Sequence, residues 1–468
     1  MRISLVVCLL LSWSGHARAQ DVPYVNYLVG DRALGLGGAF VGLAEDGSAT
    51  FHNPAGLSLV PENAVSTSFW VAGLQHRKLD GGWSTDGGTA DFSDTGLTFP
   101  PLVFTAVTKV GEPDDNGQHT HSVGVAILKP LRQDYRFAHV DEAGNQLSTM
   151  DLVHRDNARW YGVSYALRLP YRVSVGMSAF LAIRDLSHEE IEAHGQNGPP
   201  QPTPESHVLS RHYLLEATLR DLIWRFGATW DPNPCWRIGV MFQLPGISMR
   251  SSASIRQFTL DLDPNGVMTA ETVARDDLRP WRPVPWELRA GVTRFLGERG
   301  LMTFDVAMHG GAGSEPSPVL LIRQNDIPRP SMMSTSSFMR PSLRLAVGGE
   351  YVYRKRFPLR GGIMYYGSGL PDVPEQSDVP FVSDMRTLGA SLSGGLLISD
   401  HQVSVGTAIV HAWGTGSALD QSGVGPARYR AADASETTML VFISGAIGGA
   451  KALMERGGRW LEEQQEAQ

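Results

Sequence analysis

The chain has 468 residues, a formal net charge of −8 and only two cysteines. The acidic balance argues against nucleic acid as a partner, because nucleic-acid binding needs a basic face. The first cysteine lies in an amino-terminal leader, so the remainder holds Cys235 alone and no intramolecular disulfide.

The leader is residues 1–19. Arg2 precedes an unbroken apolar run from Ile3 to Leu11, and Ala17-Arg18-Ala19 supplies small residues at the −3 and −1 positions of a cleavage site. This pattern predicts an exported protein whose mature chain begins at Gln20. The apolar run is well short of the ~20 residues of a spanning helix. Val6 and Val7 before Cys8 do not fit a lipid-attachment site.

Residues 20–60 form a separate, glycine-rich unit. It contains GDRALGLGGAFVGLAEDGSATFHNPAGLS, from Gly30 to Ser58. A phosphate-binding loop would need a strong strand before the glycines and a regular G-x-G-x-x-G or G-K-[ST] spacing. Neither is present. The small and apolar residues instead predict a compact plug, with Asn53-Pro54 favouring a turn.

Residues 61–449 alternate apolar and polar at period two, the signature of half-buried strands. The clearest cases are 160–169, 172–184, 222–230, 342–353 and 401–411. About fourteen strands are expected: 62–74, 101–110, 119–128, 158–168, 172–184, 221–230, 235–247, 285–295, 300–309, 342–353, 357–367, 385–398, 401–412 and 436–447. Several approach the 9–11 residues that a tilted strand needs to cross a bilayer, against five or six in an ordinary soluble sheet. Turn residues join alternate pairs closely, as at Pro170-Tyr171, DPNP, GERG, RKRF and Ser399-Asp400. The other connections, about 75–100, 129–157, 185–220, 248–284, 310–341, 368–384 and 413–435, are long and polar. This rhythm predicts an all-β, transmembrane antiparallel barrel with short periplasmic turns and long outer loops. Trp160, Trp230, Trp286, Tyr351 and Tyr353 are expected at its interfacial girdles. Residues 450–468 are read as a charged periplasmic tail.

The Gly30–Ser58 pattern resembles the amino-terminal hatch of the FadL-type (OMPP1/FadL/TodX) family of outer-membrane transporters for hydrophobic compounds. The resemblance rests on Gly35, Gly37, Gly38 and Ala39, on the acidic turn Ala44-Glu45-Asp46, and on the triplet Asn53, Pro54, Ala55. It implies fourteen strands with a hatch in the lumen, and location in the cell outer membrane. It implies passive uptake of long-chain fatty acids or aromatic hydrocarbons, with lipid, the ligand and the barrel-assembly machinery as partners. It also implies a gap in the wall at a kink in the third strand, where Gly124 is the residue able to bend. The third long connection is read as an amphipathic helix within VLSRHYLLEATLRDL, with Val208, Tyr213, Leu214 and Leu215 in a ligand groove. A PorV-like barrel serving protein secretion opens with a similar stretch and is the alternative.

No enzyme, cofactor or metal site is expected. HEEIEAH places His188 and His194 six apart, where a helical zinc motif needs four, so it reads as solvated loop. Gly162 to Ala166 lacks the second glycine of a nucleophile elbow. Cys235 reads as a lone thiol. Arg168, Glu287, Arg289, Arg344 and Glu350 fall on the lumen parity, either as a carboxylate-binding set or as charges paired across strands.

Overall fold

The computed structural model describes residues 29–447, apart from 61, 86–87, 99–102, 115–118, 144–145, 197–206, 264, 279, 281–283, 312–338, 378–382, 400 and 421–427. The leader and the carboxy-terminal tail expected from the sequence lie outside the described residues.

Among the described residues nineteen strands make one sheet. They are β1 (Ala64–Thr85), β2 (Gly88–Thr98), β3 (Val103–Pro113), β4 (His119–Ala143), β5 (Gln146–Leu169), β6 (Val173–Gln196), β7 (His207–Asn233), β8 (Trp236–Gln243), β9 (Ile247–Ser248) and β10 (Ser252–Leu262). They continue with β11 (Met268–Leu278), β12 (Glu287–Leu296), β13 (Gly300–His309), β14 (Ser342–Tyr353), β15 (Phe357–Tyr366), β16 (Gln376–Ser377), β17 (Asp384–Ile398), β18 (His401–Asp420) and β19 (Arg428–Ile447).

Among the described residues, fourteen of these close a ring by antiparallel ladders. The order is β1, β3, β4, β5, β6, β7, β8, β12, β13, β14, β15, β17, β18, β19 and back to β1. β2 adds a fifteenth ladder, on β1 above the β3 pairing. Where β1 pairs with β3 and β3 with β4, the ring closes without sheet edges.

Alternation decides which side chains face out. Val163, Val175, Met177, Phe226, Val240, Val292, Phe304, Val347, Ile363, Leu392, Val405 and Val441 are all exposed, one pleat apart from buried neighbours. At the short-turn end this apolar band is edged by exposed Tyr165, Trp230, Trp236, Tyr351, Tyr353 and Phe357. Two expected girdle residues do not join it. Trp160 lies on the opposite parity from Tyr161 and is 1 % exposed. Trp286 is half-buried, its indole against Gly310.

The turn chemistry is local. Tyr171 and Arg172 have φ of 62° and 58°, and Arg354 and Lys355 have 49° and 58°. Two central residues at positive φ are what a tight hairpin needs to match the twist of its strands.

At the other end the strands run on far past the expected boundaries. The expected loops 129–157, 185–220 and 413–435 are largely the upper halves of β4, β5, β6, β7, β18 and β19. Much of 248–284 is the β10–β11 hairpin, which extends the sheet from β7. The segment expected as a helix is strand. Residues His207–Thr218 are laddered to β6 on one side, and Val208–Thr218 to β10 on the other. The apolar residues Tyr213, Leu215, Ala217 and Leu219 recur at period two, which buries them on one face of a strand paired on both edges.

Residues 29–60 are nearly all buried. They fold into the short helices Asp31–Gly35 and Ala49–His52 and a 3₁₀ turn, Pro54–Leu59. They pack on the buried parity of strands right round the ring, from β4 to β19.

Candidate functional site: an amino-terminal segment docked on the inner wall

The segment is seated by backbone contact. A Cβ on Gly239 would lie 2.2 Å from the carbonyl oxygen of Val41, and one on Gly362 would lie 2.1 Å from the carbonyl carbon of Leu36. Gly176, Gly227, Gly291 and Gly348 meet the segment in the same way. Only glycine permits this approach. Gly37, at φ 64°, sits against Gly362 and donates its N–H to Ser391 Oγ at 3.1 Å.

The residues singled out in the sequence each have a part here. Gly35 faces Ser393 and Arg360 without room for a side chain. Gly38 donates its N–H to the carbonyl of Ala33 at 2.7 Å, ending the first helix. Ala39 packs with Leu34, Ala346 and Met364. Next to it, the N–H groups of Phe40 and Val41 both donate to Asp305 Oδ2, at 2.5 and 2.7 Å. The Asn53 side chain donates to the carbonyls of Val41 and Ala228 at 3.0 and 3.1 Å and accepts from Ala55 N–H at 3.3 Å. Pro54 then opens the 3₁₀ turn at the position where its missing N–H costs nothing.

Charge locks the segment at the acidic turn. Arg32 holds Glu350 with Nε and Nη2, at 2.9 and 2.8 Å, and Glu45 with Nη1, at 3.0 Å. Arg360 reaches the same Glu350 at 2.7 Å, and Arg237 reaches Glu45 at 2.8 Å and Asp231 at 2.7 Å. Asp46 accepts from the Ser48 N–H and hydroxyl at 2.8 and 2.6 Å.

A second buried group lies beside Phe51. Arg225 donates to the Phe51 carbonyl, and its guanidinium carbon sits 4.0 Å from the centroid of the Phe51 ring. Glu287 is shared by Arg289, by Arg225 at 3.4 Å and by His309 at 2.9 Å. Arg344 lies over the ring of Tyr366 at 4.3 Å. The five charges grouped from the sequence therefore separate. Glu350 belongs to the lock, Glu287, Arg289 and Arg344 to this second group, and half-buried Arg168 to neither.

His52 is fully buried and bonds the Val29 carbonyl at 2.7 Å, which requires the Nε2–H tautomer. Burial, with the positive charges of Arg289, Arg344 and Arg225 nearby, holds this imidazole well below the ordinary value of 6.5. A base whose pKa is lowered by folding binds fewer protons folded than unfolded. The stability it carries is complete above 6.5 and is lost as the pH falls. Burial raises Asp46, which acts in the opposite sense. Segment docking should therefore weaken between pH 7 and pH 5 to a degree set by His52. In planar bilayers, leak current should rise over that range in the wild type and stay level, or fall, in His52→Gln. An unchanged rise in His52→Gln would remove His52 as the cause.

Above the segment lies an apolar cluster. Val29 and Phe51 meet Val103, Leu128, Trp160, Phe180, Ile223 and Val284 from the wall. The sequence reading placed Trp160 outside. The signal it passed over was parity, since Tyr161, Val163 and Tyr165 already filled the outer face.

This cluster borders a seam. β3 and β4 are laddered from Pro113↔His119 up to Phe104↔Ile127. Above that level β2 pairs with β1 and β4 pairs with β5. No β2–β4 ladder joins them among the described residues. The irregularity in β4 falls between Leu128 and Leu131, around Pro130, not at Gly124. Gly124 stays in regular pairing and packs against Leu57, 3.1 Å from where its Cβ would be. Proline explains the position, because it has no N–H to give a ladder. Higher still the seam is bridged by side chains: Phe92 on Phe137 with centroids 3.9 Å apart, Trp83 on His139 at 5.1 Å, and Thr85 bonded to Asp141.

Of the four expected groove residues, Tyr213 and Leu215 come together with Leu219, Ile255 and Leu278 in a buried patch. Val208 and Leu214 are half-buried on the other parity of β7. HEEIEAH is not solvated loop. It lies in β6, where Glu190 and Glu192 are each 3 % exposed.

No family model matches the sequence, and no curated protein matches it. Solved structures do. The chain is similar to a FadL homologue of Pseudomonas aeruginosa, with a TM-score of 0.59 and 12 % identity, over 91 % of this chain and 100 % of that one. It is similar to the toluene transporter TodX of Pseudomonas putida, at 0.56 and 11 % identity over 90 % and 98 %. The monoaromatic hydrocarbon channel CymD matches at 0.51 and 13 % identity over 90 % and 97 %. The chain has the fold of these FadL-type barrels.

Proposed function

We propose that this protein is an outer-membrane channel for hydrophobic compounds, with residues 29–60 as its hatch. The carrying observation is the apolar cluster of Val29, Phe51, Leu128, Trp160 and Ile223 beside the unladdered seam. A hydrophobic ligand reaching that cluster has the hatch beneath it and the seam beside it. It leaves sideways into lipid without crossing the charged groups around Glu287 and Glu350. The exposed apolar band and its aromatic edge suit a barrel set in a bilayer. The resolved relatives include a toluene transporter and a monoaromatic hydrocarbon channel. An apolar patch reaching the wall also favours uptake over a secretion-partner role, which would place apolar surface on the loops instead.

Transport is passive in this reading, and the substrate is a long-chain fatty acid or an aromatic hydrocarbon. The protein refolded into liposomes should take up labelled toluene or labelled oleate saturably. Trp160→Arg, a charge set into the cluster, should cut that uptake at least tenfold, by analogy with the cost of burying an unpaired charge. A folded barrel that takes up neither compound overturns the proposal.

A further inference from the structure

Glu190 is a buried carboxylate at the long-strand end with one oxygen unbonded among the described residues. It lies on the buried face of β6, 3 % exposed, and its Oε1 has no hydrogen-bond partner. The His188 ring lies beside it, with Nε2 at 3.6 Å, and is already engaged through Nδ1 with His154 at 3.2 Å. The other charges facing this point are matched. Glu192 holds Arg211 at 3.0 Å, and Asp156 holds Arg184.

The surroundings are aromatic. Tyr213 sits directly across the ladder from Glu190, and its ring lies 6.3 Å from that of His188. Tyr429 approaches from the opposite arm of the barrel, packed with Trp83, Met150 and Leu419. It is 6 % exposed, and its hydroxyl has no partner. Met150 and Leu152, which pack in that cluster, stand directly across the β5–β6 ladder from Glu192 and Glu190. A carboxylate with one unbonded oxygen, a phenol oxygen without a partner and several aromatic faces border the same buried cluster. Carboxylate and ring faces together are the chemistry that recognises an ammonium group.

We propose that this point on the inner face of β6 binds the protonated amino group of an aromatic or aliphatic amine, with Glu190 as counter-ion and Tyr429 as hydrogen-bond acceptor. The Tyr429 oxygen accepts from the ammonium, and the apolar body of the ligand lies along Trp83, Met150 and Leu419. Binding requires the two arms to part, since these residues close the site. The proposal deepens the uptake reading by naming a substrate class, but the binding itself does not depend on transport.

The test uses the full chain in detergent micelles at pH 7. The probes are 2-phenylethylamine and its neutral analogue 2-phenylethanol, measured by equilibrium dialysis. The amine should bind roughly tenfold or more tightly than the alcohol, the worth of one hydrogen bond to a charged group. Glu190→Gln should erase the difference and leave alcohol binding unchanged. Tyr429→Phe, which keeps the packing, should reduce the preference several-fold and serves if Glu190→Gln fails to fold. Equal binding of both probes by the wild type overturns the proposal. So does a preference that survives in Glu190→Gln, or one that Tyr429→Phe leaves undiminished. Failure of toluene and oleate uptake with the amine preference intact would remove the uptake reading and not this site.

Discussion

Deleting residues 30–58 should leave a closed barrel and convert it into a leaky pore. None of the fourteen wall ladders draws on this segment, so the backbone pairing that holds the ring survives its loss. Glu350 keeps Arg360, and Glu287 keeps Arg289 and His309, while Asp305 exchanges the Phe40 and Val41 N–H groups for water. Exposed to water, those pairs are hydrated, not stranded. The inner-face glycines, no longer covered, line an open lumen. A fourteen-strand ring lies between small barrels that side chains can fill and the larger porins with aqueous channels, so something other than wall side chains must occupy its centre. The deletion should keep the heat-modifiable migration of a folded barrel and raise nonspecific single-channel conductance many-fold over the wild type. A product that does not fold would show that the segment is core and not hatch. A folded product without raised conductance would show that it does not occlude the lumen.

The strands and tight turns were legible because both signals are local. Period two over 342–353 and 300–309 marks β14 and β13 at their observed bounds, and the turns at 170–172 and 353–357 carry their own chemistry. The upper halves of β4 to β7 were not. Above the apolar band both faces of a strand can be polar, as in DLSHEEIEAH of β6, and nothing in the hydropathy separates strand from loop. VLSRHYLLEATLRDL fits a helical stripe and a pleat about equally, and only the neighbouring strands decide. The segment was recognisable from its own glycines, but its seat was not. The readable signal was glycine on the inward parity of successive strands, at 176, 227, 239, 291 and 348. The ion lock had none, since Arg32 and Glu350 stand 318 residues apart.

Glu350→Ala should undo that lock while sparing the wall. Glu350 is 4 % exposed and receives three guanidinium N–H groups, two from Arg32 and one from Arg360. Without it, among the described residues, Arg32 keeps Glu45 as its carboxylate partner, and Arg360 keeps Ser404 Oγ at 3.3 Å and Asp31 at 3.9 Å. Breaking a buried pair by removing one partner costs about 3–5 kcal/mol, because the remaining charge stays desolvated. That cost falls on docking of the segment, since Arg32 and Glu45 lie on it and Glu350 and Arg360 on the wall. A docking equilibrium shifted by this much releases the segment roughly a hundredfold more often or better. Leak conductance should rise towards that of the deletion, and a protease supplied from the short-turn side should cut between 30 and 60. Replacing the whole cluster by apolar residues of similar length, Arg32→Met with Glu350→Leu and Arg360→Met, should restore docking, as buried ion groups tolerate such exchange. If Glu350→Ala leaks no more than the wild type, the glycine contacts and the Asp305 and Asn53 hydrogen bonds suffice to hold the segment, and the charges only set its register.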